Sequence, residues 1–164
     1  MPVCINWTFI FNHYFNERSF ICFSRITEKQ MSFKENQPST QTNQLRSGFI
    51  DLTASLISSI SVVFPECDQT KNVSVIFETM IRGNPEYEDK FIRFCAKVFE
   101  ENKQKLAEND EETLFNVIDS MEYVRNIKIK DKWEDPEFTD ESKQHLWQYI
   151  SNLTTYATLY TAVP

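Results

Sequence analysis

Glycine occurs only twice in these 164 residues, at Gly48 and Gly83. That scarcity limits the chemistry the backbone can support. A phosphate-cradling loop, a dinucleotide fingerprint and a nucleophile elbow each need several glycines at fixed spacing, so all three are excluded. What remains is a chain dominated by apolar residues three and four apart, the period of an amphipathic helix.

Five such segments run from residue 45 to about residue 160. The first places Leu45, Phe49, Leu52, Leu56, Ile60 and Val63 on one stripe, widened by Ile57 and Phe64, and Pro65 stops it because its ring disfavours helix in the residue before it. Asp68 is a candidate N-cap for the second, whose apolar face is Val73, Ile76, Phe77, Met80 and Ile81. In Arg82-Gly83-Asn84-Pro85, Gly83 suits a left-handed C-cap, Asn84 an N-cap and Pro85 the first helical position. The third helix uses Tyr87, Phe91, Phe94, Cys95, Val98 and Phe99. Asn109 and Asp110 open the fourth, with Leu114, Phe115, Val117, Ile118, Met121 and Val124. Residues 126–138 read as a loop with a briefly extended Ile127/Ile129 alternation, and Thr139 or Asp140 caps a fifth helix. The expectation is an all-α fold, a single bundle of about five amphipathic helices over residues 44–164.

Residues 1–30 differ in kind from the rest of the chain. Residues 1–23 hold Trp7, Phe9, Phe11, Tyr14, Phe15, Phe20 and Phe23, and the alternation of the first three suits a short strand. The first 30 residues carry net +1, which leaves −8 for the other 134. No base precedes Arg18 and polar residues interrupt the apolar run, so a secretory signal is not expected. Residues 31–43 are polar, hold Pro38 and read as a flexible leader with too little apolar surface to offset ordering. A second methionine, Met31, opens that leader, which makes residues 1–30 an irregular extension of doubtful status and Met31 a candidate start.

Two helices lack charge along most of their length. Residues 52–63 and 146–164 contain no Asp, Glu, Lys or Arg, whereas a surface helix normally shows a charged face. Two readings follow: both helices sit at the centre of the bundle, with the acidic third and fourth helices outside, or their second faces dock a partner. Trp147 bears on the choice. With Leu146 at 0°, the apolar stripe of the last helix spans roughly 280° to 40°, and Trp147 falls near about 100°, beside it. Either Trp133 or Phe138 covers it, or it anchors a partner. Trp147, Leu159 and Trp133 therefore form the candidate partner surface.

Catalytic constellations are sparse. Cys4, Cys22, Cys67 and Cys95 show no zinc-ligand spacing, and four unclustered thiols fit a reducing compartment. Glu141 and His145 share a helix face but make half a site at best. For nucleophilic chemistry only Cys67 or Cys95 with His145 remains in the body. The runs Glu86/Glu88/Asp89, Glu108/Asp110/Glu111/Glu112 and Glu134/Asp135/Glu137 stand at helix starts and in loops, where they cap and oppose the dipole. Arg125, Lys128, Lys130 and Lys132 form a basic cluster offset by Asp131, Glu134 and Asp135. No catalytic residue, metal site or cofactor is expected. The net charge of −7 disfavours nucleic acid, and no apolar run is long enough to span a membrane.

Phe49 through Phe64-Pro65-Glu66, and Leu146-Trp147-Gln148-Tyr149-Ile150-Ser151-Asn152-Leu153, give residues 45–160 a likeness to a known group. The body resembles small helical proteins of nucleocytoplasmic large DNA viruses, which share a helix ending in Phe-Pro and a late Trp-x-Tyr helix. The resemblance implies a viral accessory or particle-associated protein in the host cytoplasm, and no catalytic residues. The expected function is that of a non-enzymatic cytosolic interaction protein, bound to a protein partner or to itself. The alternative is an enzyme or enzyme subunit, which requires a pocket lined by a buried carboxylate and His145.

Overall fold

In the computed structural model the described residues are 38–121 and 125–163. The Trp7–Phe11 strand, the Met31 boundary and Val124 lie outside them. Six α-helices follow in order: α1 Pro38–Val63, α2 Asp68–Ile76, α3 Pro85–Ala107, α4 Glu111–Ser120, α5 Ile129–Lys132 and α6 Asp140–Ala162. A π-helical turn, Phe77–Ile81, prolongs α2, and a 3₁₀ turn, Arg125–Ile127, precedes α5. The fold is all-α, with no strand among the described residues.

The bundle begins earlier than the sequence suggests. The leader expected to reach residue 43 is helical from Pro38. Proline at the start of a helix forfeits no hydrogen bond, and a helix nucleated on the packed residues Leu45 and Phe49 extends outward at low cost. Residues 40–44 contribute little burial of their own.

Local signals mark most of the other boundaries. Asn84 Oδ1 accepts from the backbone N–H groups of Glu86 and Tyr87, with Pro85 opening α3. Asp110 accepts from Thr113 N–H at 2.8 Å, and Thr139 Oγ1 accepts from Ser142 N–H. Gly83 is left-handed, φ 82°, but not as a helix C-cap. Arg82 is extended and Asn84 N–H bonds the Ile81 carbonyl, which makes a type II turn. The left-handed helix ending occurs instead at Asn109, φ 56°, where Asp110 N–H reaches Lys105 O and Asn109 N–H reaches Leu106 O, the Schellman pattern. Cys67, not Asp68, precedes the first residue of α2.

α6 packs along both α1 and α3. It runs antiparallel to α1, because Gly48 lies against the Tyr156 ring while Ser59 Oγ meets Tyr149 Oη at 3.5 Å. A Cβ at position 48 would overlap that ring, so glycine sets the closeness of the two helices. The core is filled by Phe49, Ile92, Phe99 and Leu114, each at most 1% exposed.

Three assignments of inward faces need correction. Ile92, Cys95 and Phe99 are buried on α3, whereas Tyr87 and Phe94 are exposed; Phe91, between the two stripes, is half-buried and meets the core rings of Phe49 and Phe77 edge-on. Met80 is exposed, since the π turn alters the helical phase there. α4 is no outer helix, burying Thr113, Leu114, Phe115, Val117 and Ile118. The alternation at Ile127 and Ile129 is also not extended: Lys128 is left-handed, φ 53°, and reverses the chain between two helical turns so that both isoleucines are buried.

Candidate interaction surface

Trp133 lies in the core, 3% exposed, and leaves the candidate partner surface. Its ring meets Phe115 edge-on at 5.2 Å and Phe138 at 5.4 Å, and Phe138 meets Phe64 at 5.6 Å. This four-ring row closes one end of the bundle from three separate segments. Lysines lie over it: Lys132 at 4.5 Å from the Phe64 centroid, Lys143 at 5.2 Å from Trp133 and Lys130 at 5.8 Å from Phe115. Lys130 also pairs with Glu112. Part of the basic cluster seen in the sequence is thus engaged in cation–π and ion-pair contacts within the fold.

Trp147 is half-buried and Leu159 is exposed. Trp133 and Phe138, the expected cover for Trp147, instead engage one another. Trp147 and Leu159 do not form one patch. At 100° per residue they lie on opposite shoulders of the outer face of α6, about three turns apart.

Between those shoulders runs the feature the sequence reading missed. Gln144, Gln148, Ser151, Thr155, Thr158 and Ala162 are all exposed. They repeat at alternating spacings of four and three, the period of a helix–helix seam, and none is charged. Both threonine hydroxyls are already engaged, Thr155 with Ser151 O at 3.0 Å and Thr158 with Thr154 O at 2.9 Å. On α1, Ser55, Ser58 and Val62 continue an exposed, uncharged edge, and Ser55 donates to Asp51 O. The charge-free character of these two helices therefore extends to their solvent faces. Central packing explains only the inner ones.

The carboxylates of the Glu86/Glu88/Asp89 run tie helices together. Glu88 accepts from Gly83 N–H at 2.8 Å and pairs with Arg46 of α1 at 3.3 Å. Asp89 accepts from Tyr160 Oη at 2.7 Å and from Arg93. Burial pushes the Asp89 carboxyl up, but the bonds from Tyr160 and Arg93 outweigh it and hold it below its ordinary value. Tyr160 moves up, through burial and its bond to that carboxylate.

Of the candidate nucleophiles, Cys95 is buried on α3 and burial alone pushes its thiol well up, the reverse of an activated thiolate. Cys67 donates to Gln69 Oε1. Among the described residues no three His, Cys, Asp or Glu side chains converge, and no helix is long and apolar enough to cross a membrane.

The fold and this surface define an all-α helical bundle with a charge-free outer face. Comparison with protein-family models, curated proteins and solved structures gave no significant match.

Proposed function

We propose that this chain is a non-enzymatic helical interaction protein, which binds a protein partner or a second copy of itself through the outer face of α6 and the adjoining edge of α1. The observation that carries this reading is the exposed seam from Gln144 to Ala162 without a charge, on a protein that is 25% charged. Depletion of charge distinguishes the centre of protein interfaces from the rest of a surface. Trp147 and Leu159 flank the seam and supply the apolar contact area, and tryptophan is enriched among residues that dominate binding energy. The free thiols Cys67 and Cys95 support a reducing, cytosolic setting for the same proposal. The viral, particle-associated setting rests on the resemblance of the two helix motifs alone.

The test is co-purification of tagged full-length protein from its native cell, with identification of the bound species. Ser58→Glu and Thr155→Glu place charge on the proposed face, and Lys97→Glu alters the opposite, charged face of α3. The species bound by the unaltered chain and by Lys97→Glu is expected to be lost from the other two. An unchanged set of bound species across all four proteins overturns the reading.

A further inference from the structure

We draw no further inference here: the strongest candidate, the surface patch of exposed aromatic rings that Tyr87 and Phe94 form along the outer face of α3, is an apolar face, and nothing in the structure shows what covers it.

Discussion

α3 and α6 are each 23 residues long, and each buries one apolar stripe in the same core. Their outer faces have little in common. α3 carries ion pairs one turn apart, Lys90–Glu86 at 2.7 Å, Arg93–Asp89 at 3.0 Å and Lys103–Glu100 at 3.5 Å, an arrangement that supports a helix locally and keeps it soluble. α6 has Ser and Thr in the equivalent places, with hydroxyls donating to carbonyls of the preceding turn. Those residues are weaker helix formers, and such back-bonding slightly destabilises a helix. The inner faces explain the fold of both helices. The outer face of α6 costs local stability without serving the bundle, and departures of that kind concentrate at functional surfaces.

The comparison can be broken first at its common element. Ile92→Ala on α3 and Leu153→Ala on α6 should each lower unfolding free energy by about 2–5 kcal/mol in denaturant titrations, because both side chains are buried in the same core. A much smaller loss on α6 would show that its inner face is not core. Trp147→Ala should cost about 1–2 kcal/mol, less than the loss for a fully buried indole, since Trp147 is half-buried, and should weaken association as well. Asn84→Ala removes the cap of α3 and should cost about 1 kcal/mol, with fraying confined to the first turn of α3 by hydrogen exchange.

Acid sharpens the contrast at the one place where the two helices share a charge. Asp89 has a lower pKa folded than unfolded, where the ordinary value is 3.8. Its contribution is therefore complete above that value and lost as pH falls through the lowered native one. Asp89→Asn should flatten the fall in melting temperature below about pH 4, and an unchanged acid limb would remove this tie from the account. The smallest effect on stability belongs to Thr155→Glu, within about 0.5 kcal/mol as for exposed sites generally. A large loss there would mean that the outer face serves the fold after all.

Much of this architecture is legible in the residues, and the failures have physical causes. Asn84-Pro85, Asp110 and Thr139 announced their helices because capping depends on local chemistry alone. The inner stripe of α6 was equally plain. On α3 the larger rings of Tyr87 and Phe94 drew attention from Ile92, because periodicity cannot say which of two adjacent stripes faces the core. Trp133 looked exposed because it sits between helices, and its burial depends on a contact with Phe115 from a separate helix as well as on its near neighbour Phe138. The absence of charge on α6 was readable, but the seam was not, since exposure at every fourth and third position depends on where α1 and α3 lie.

Cys95, enclosed between the stripes of α3 and the rest of the core, has one consequence for experiment. Its thiol reaches an alkylating reagent only when the bundle opens, while Cys67, half-exposed, is available in the folded state. Peptide-resolved labelling at the two positions makes the chain its own stopwatch. One sulfur keeps time for the native molecule, the other for its rare openings, and their labelling ratio follows the integrity of the bundle without any engineered reporter.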